Sequence, residues 1–293
     1  MNNPAVFTNV TKDMNDFTFG PINFSLEDGM ITAIVGRNGS GKSTLLKMLM
    51  NLVKPTDGMI QLFGDDVGSE NESWKEHIAY QPQTTVGYDP FTGNQLKQLI
   101  APYYPHWDDE YFSALVKRLN VTLNKRFNKM SQGNQQKLIL ALTFARNTRL
   151  LLLDEPTSFL DIPSKKELMK IITEWMDSGD RSIIITSHQA EDINKLADYI
   201  AVMKEGQLAG TYEKDLLSDM YGQYWVKEET SERLAGEIAR DGQIIVSNNC
   251  EATEQDLHER QLTWEISPLG LEDMITILLD QQEGMDNGNN FNS

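Results

Sequence analysis

The chain has 293 residues, 40% of them apolar, which suffices for one large domain with a smaller one attached. Its 43 acidic and 26 basic residues leave a formal charge of -17, which argues against a general nucleic-acid binder, because phosphate backbones are held by clustered Lys and Arg. The single cysteine, Cys250, excludes an intrachain disulfide and reads as a small buried hydrophobe.

The opening stretch MNNPAVFTNVTKDMND has neither the basic start nor the apolar core of a signal peptide. No apolar run approaches the roughly 20 residues of a membrane-spanning helix, so the chain is expected to be cytoplasmic. Next, MITAIVGRNGSGKSTLLKMLMNLV starts as an apolar strand at Met30 to Val35, passes a glycine-rich turn and continues as a helix with Leu45, Leu46, Leu49 and Met50 apolar. Within it, Gly36 to Ser43 fits G-x-x-x-x-G-K-[ST], the phosphate-cradling P-loop. Its candidate contacts are Gly36, Arg37, Asn38, Gly39, Ser40, Gly41, Lys42, Ser43 and Thr44. Lys42 is expected to reach the β- and γ-phosphates, and Ser43 to ligate magnesium.

IAYQPQ is a further strand whose end offers Gln83 as a neutral oxygen ligand for magnesium or a partner for water. A Pro-interrupted helical stretch follows, in which Tyr88, Phe91, Tyr103, Tyr104 and Trp107 are expected in the core rather than at an interface, exposed aromatics there being the mark of a docking groove. KMSQGNQQK, Lys129 to Lys137, then opens the apolar helix LILALTFA with a polar first turn, suited to a cap or to a docked anion. In RLLLLDEPTSFLD, Leu150 to Leu153 suit a central parallel strand buried on both faces, delivering Asp154 and Glu155 at its carboxyl end. Asp154 is expected to hold magnesium, and Glu155 to orient and polarise the attacking water as general base. SIIITSH, another buried strand, places His188 at the same sheet edge, within reach of a γ-phosphate. His77, His106 and His258 lack metal-ligand spacing and read as structural.

Beyond VMKEGQLAG, the stretch TYEKDLLSDMYGQYWVKEE reads as helix then strand. DGQIIVSNN and RQLTWEIS read as strands with Trp264 packing, and GLEDMITILLD as a closing amphipathic helix. This is an α+β appendage over residues 211–283, followed by a polar, disordered tail at 284–293.

The P-loop GRNGSGKST, Gln83, MSQGNQQK, LLLLDE, SFLD and His188 together resemble, in order, the motifs of the ATPase subunit of ABC transporters over residues 5–210. That resemblance implies an α/β P-loop NTPase fold over residues 1–210, with a mostly parallel central sheet, an antiparallel β subdomain and a helical subdomain inserted at about 84–148. It implies MgATP as ligand and a homo- or heterodimer in which Ser131, Gly133 and Asp161 meet nucleotide held by the facing subunit. Integral membrane permease subunits, and no nucleic acid, are the implied further partners, which places the chain peripherally on the inner face of the cell membrane. YPHWDDEYF and TSH look like the exporter-type branch. The alternative is a soluble ABC-type ATPase with no membrane partner. This sequence departs from the family pattern at Gln132, in place of a Gly, and at Asn134, in place of a Gln. No aromatic residue stands at Asp13 or Met14, where one stacks on adenine, although Phe17 and Phe19 lie close by.

Overall fold

The computed structural model describes residues 3–14, 17–228 and 230–280. The expected tail at 284–293 lies outside them. The chain divides into two compact units, Met1–Thr211 and Tyr212–Ser293.

In the first unit, β1 (Ala5–Met14), β2 (Phe17–Ser25), β4 (Asp57–Leu62) and β5 (Asp65–Asp66) form an antiparallel sheet in the order β2-β1-β4-β5. The second sheet runs β10-β9-β3-β8-β7-β6, from β3 (Ile31–Val35), β6 (Ile78–Gln81), β7 (Leu150–Asp154), β8 (Ser182–Thr186), β9 (Tyr199–Lys204) and β10 (Gln207–Glu213). The pairs β3·β8, β3·β9, β6·β7 and β7·β8 are parallel. Every residue of β3, β7 and β8 is buried, which explains why these strands read as unbroken apolar runs rather than alternating ones. Their carboxyl ends lie side by side, with Asp154 of β7 in register with Thr186 of β8. Parallel strands of this kind present their ligand crevice at that edge.

Helix α1 (Lys42–Leu49) follows β3 directly. Between β6 and β7 come α2 (Gly93–Ile100), α3 (Asp109–Arg118) and α4 (Gln132–Phe144). Thr92 and Gln95 close a capping box on α2, and the Asp108 carboxylate accepts from the Tyr111 N–H at the start of α3. In α4 every residue from Leu138 to Phe144 is buried, so after its polar first turn this helix is apolar all round. Helix α5 (Ile162–Met176) follows β7, and α6 (Ala190–Leu196) follows β8. Arg118 at the end of α3 grips α5, with Nε 2.6 Å from Glu167 and Nη1 2.5 Å from Glu174.

The aromatic residues before α4 sit differently from expectation. Tyr88, Phe91, Tyr104 and Trp107 are half-buried: Tyr88 meets Phe127 edge-on, Trp107 packs on Phe112, and Arg146 stacks on Tyr104. Tyr103 is 82% exposed. Pro102 carries the chain out of α2 into a short 3-10 turn, Ala101–Tyr103, so Tyr103 leaves the helical repeat and its ring turns outward.

In the second unit, β12 (Glu237–Asp241), β13 (Ile244–Ser247), β11 (Gly222–Val226) and β14 (Trp264–Ser267) make an antiparallel sheet in that order. Helices α7 (Lys214–Met220), α8 (Cys250–Glu259) and α9 (Leu271–Asp280) complete it. Tyr224, Val226, Leu234, Ile245 and Leu257 form its core, and the half-buried Cys250 and Trp264 pack against them. Strand β12 and helix α8 are additions to the elements read from sequence.

Candidate nucleotide site

The P-loop is held open by its glycines at two points. Gly41, at φ 105°, is the N-cap of α1 and supplies no side-chain cap. A Cβ there would lie 2.8 Å from the ring of the buried Phe19. Uncapped, the first-turn N–H groups of Lys42, Ser43 and Thr44 have no acceptor within the helix. Gly36 is needed for another reason: a Cβ there would lie 2.3 Å from the Met203 carbonyl. The Lys42 ammonium bridges back across the loop to the carbonyl oxygens of Gly36 at 2.8 Å and Arg37 at 3.2 Å. Burial pushes the pKa of Lys42 down, and the nearby Glu155 and Asp154 charges push against that shift.

These groups border a cleft of about 510 Å³, lined by residues 38–44 together with Met14, Phe17, Gln83, Asp154 and Glu155. The structure therefore brings together the P-loop, Gln83 and both acids. Phe17 belongs to this cleft, its ring lying over Gly206, whereas Phe19 is in the core. Met14, not an aromatic residue, forms the neighbouring part of the wall.

Both oxygens of the buried Asp154 carboxylate are fixed from within the fold. Oδ1 accepts from the Thr186 hydroxyl at 2.7 Å, and Oδ2 from the Tyr80 hydroxyl at 3.3 Å. Burial, and then the Asp154 charge, hold the Tyr80 phenol well above its ordinary pKa, so it stays a donor. Glu155 has a left-handed backbone, φ 52°, and its N–H donates to Thr186 Oγ1 at 3.0 Å. A non-glycine residue held there by its neighbours is strained, a condition that clusters at working sites. Its carboxylate, 8% exposed, meets His188 Nδ1 at 2.8 Å. The imidazole placed by sequence near a γ-phosphate is thus bonded to the carboxylate that would orient water.

The donor set fits a nucleotide with magnesium. A row of uncapped N–H groups and the Lys42 ammonium face the phosphate position. Ser43, Gln83 and Asp154 offer hard oxygen ligands. Among the described residues no group of three or more His, Cys, Asp or Glu could hold an ion alone.

Ser131, Gly133 and Asp161 lie in a second cavity, of about 490 Å³, with Gln132, Asn134, Lys137 and Phe159. Ser131 is the N-cap of α4, its hydroxyl accepting from the Asn134 N–H at 3.3 Å. Asp161 caps α5 through the Ser164 N–H at 2.8 Å; hydrogen bonds from Ser164 hold its carboxyl below the ordinary range. Gly133 has an intramolecular reason as well as the one expected from sequence. A Cβ there would stand 2.8 Å from the Phe159 carbonyl, so only glycine lets the start of α4 pack on this loop. Phe159 itself, at φ 64° and 60% exposed, was not singled out from sequence; an exposed ring between two motifs leaves no periodic signal.

A model of the ABC transporter family matches residues 19–158. The ABC transporter ATP-binding protein YtrB of Bacillus subtilis is 30% identical over 214 residues, 73% of this chain and 73% of that one. The chain belongs to the ABC transporter family. Antigen peptide transporter 2 of Mus musculus is 30% identical over 212 residues, 68% of this chain. The cassette spans only 28% of that longer relative. In three dimensions it is similar to a bacterial Atm1-family ABC exporter solved with ATP bound, with a TM-score of 0.64 and 26% identity over 74% of this chain and 40% of that one. As a member of the family the chain is an ATP-binding P-loop ATPase subunit, with the mixed sheets described above forming its ATP-binding core.

Proposed function

We propose that the chain binds MgATP in the P-loop cleft, closes a second copy or a homologous subunit over it, and hydrolyses it to power transport, in the export direction, through separate membrane subunits. Lys42 and the uncapped N–H groups of α1 would grip the β- and γ-phosphates. Ser43, Gln83 and Asp154 would hold magnesium, which supplies charge neutralisation on the phosphate oxygens. Glu155 would orient the attacking water and draw its proton, while His188 keeps that carboxylate aimed. Phosphoryl transfer asks for positioning and charge stabilisation more than covalent chemistry, and these side chains are held from within the fold.

The observation that carries this reading is the Glu155–His188 pair beside the P-loop, in the same cleft edge as Asp154. Dimerisation is supported by the separation of two cavities on one chain: the Ser131, Gly133 and Asp161 group lines a cavity that contains none of the P-loop residues. A permease partner is supported by exposed apolar side chains in and beside the inserted helical segment, Val86 at 91% and Tyr103 at 82%. Among the described residues no helix is long and apolar enough to cross a membrane. That leaves membrane attachment to such a partner, which would hold the cassette at the cytoplasmic face.

Glu155→Gln tests the assignment. It should retain ATP affinity, lose turnover by at least about a hundredfold and accumulate an ATP-bound dimer in size-exclusion chromatography. Unimpaired phosphate release by that variant removes Glu155 from its role. Co-purification of the tagged chain with membrane proteins tests the permease partner.

A further inference from the structure

His188 is 61% exposed, so packing does little to fix its ring; its place against Glu155 is set by the backbone that carries it. On one side that backbone is laced to β7 through Thr186, whose hydroxyl donates to Asp154 and whose carbonyl accepts from the Glu155 N–H. On the other side stands Gln189. Its N–H donates to Ser187 Oγ at 3.0 Å, and its side-chain oxygen accepts from the Lys165 ammonium at 2.5 Å. Lys165 comes from α5, one turn beyond the Asp161 cap, where its own N–H donates to the Asp161 carbonyl. The same ammonium lies 2.7 Å from Asp192, a carboxylate 1% exposed on α6. No hydrogen-bond donor besides that ammonium reaches Asp192 among the described residues. One cation therefore joins the start of α5, the residue after His188 and the first turn of α6.

We infer that Lys165 is a positioning residue for hydrolysis: by holding Gln189 and Asp192 it sets where His188 stands against Glu155. The inference rests on the reading of Glu155 and His188 as the hydrolytic pair. A buried ion pair that merely stabilised α6 would not need the bond to the side chain of Gln189, which is half-buried and belongs to the residue next to His188.

The test compares full-length Lys165→Met, Lys165→Arg, Gln189→Ala, His188→Ala and the double variant Lys165→Met/His188→Ala in ATP turnover and nucleotide binding. Lys165→Met should lower kcat about tenfold with KM for ATP within about twofold, and Lys165→Arg should recover most of the loss. The double variant should be no slower than His188→Ala alone, because a residue acting through another does not add to its loss. A second readout is the imidazole NMR spectrum, tractable with only 4 histidines: Lys165→Met should move the His188 signals and leave those of His77, His106 and His258 in place. If Lys165→Met fails to fold with Asp192 unpaired, Lys165→Met/Asp192→Asn and Gln189→Ala carry the same comparison. Wild-type kcat in these variants beside an impaired His188→Ala, or losses that add in the double variant, overturns the role of Lys165 alone. Unimpaired turnover in His188→Ala overturns the hydrolytic pair itself.

Discussion

Phe17 and Phe19 stand two positions apart on β2, yet one ring lines the nucleotide cleft and the other is buried beneath Gly41. Sequence alone left both open as neighbours of the adenine, because either fits an apolar strand position. Their substitutions should separate cleanly. Phe17→Ala should weaken nucleotide binding, read with a fluorescent ATP analogue, with little change in Tm. Phe19→Ala should cost about 3–5 kcal/mol of stability in denaturant unfolding, as emptying a buried aromatic site does. Lys42→Ala removes a charge-assisted donor worth about 1.5–3 kcal/mol per bond, so ATP affinity should fall about ten- to a hundredfold in calorimetry. The P-loop, Asp154, Glu155 and His188 were legible because each carries its chemistry in residue type and lies at the end of a recognisable apolar strand. The bond between His188 and Glu155 was not, since it depends on where two strand ends meet across a sheet.

At the scale of elements, the polar opening of α4 serves the fold as well as the ligand. Ser131 caps it, Gln136 Nε2 donates to the Pro156 carbonyl at 3.0 Å, and Gly133 sits under the Phe159 carbonyl. Gly133→Ala should force the 156–161 loop away from α4. The expected outcome is a loss of about 1–3 kcal/mol, measured by thermal unfolding, together with a drop in turnover larger than Lys137→Ala produces. The buried strands were readable as continuous apolar runs, and the start of α4 as a polar first turn suited to a cap, whereas the Thr92, Asp108 and Asp161 caps came from the structure alone. The fate of the aromatics before α4 was not readable: composition does not say that Pro102 turns Tyr103 outward. In the appendage, β12 is short and mostly polar, and its one sequence signal is the Asp241-Gly242 turn into β13, with Gly242 at φ 58°.

For the whole molecule, most of the net charge of -17 falls after Thr211, so the second unit is the acidic one. It is stitched by Glu237 and Arg240: the carboxylate meets the guanidinium at 2.5 Å and accepts from the Leu234 N–H at 2.8 Å. Burial pushes the Glu237 carboxyl up, but the Arg240 and Leu234 hydrogen bonds outweigh it, leaving its pKa lowered. A group depressed in the folded state stabilises it above the unfolded pKa, about 4.3, and that contribution disappears as pH falls through the folded value. Glu237→Gln should accordingly be less stable than wild type by about 2 kcal/mol at pH 7, with the gap closing on acidification below about pH 4, followed by tryptophan fluorescence of Trp225 and Trp264. The two cavities of the first unit carry a last consequence. If each is half of a shared site, specific activity should fall on dilution, with rate following the square of concentration at the low end. Inactive Lys42→Ala chains mixed with inactive Ser131→Arg chains should then regain turnover, since the mixture assembles one intact half from each parent.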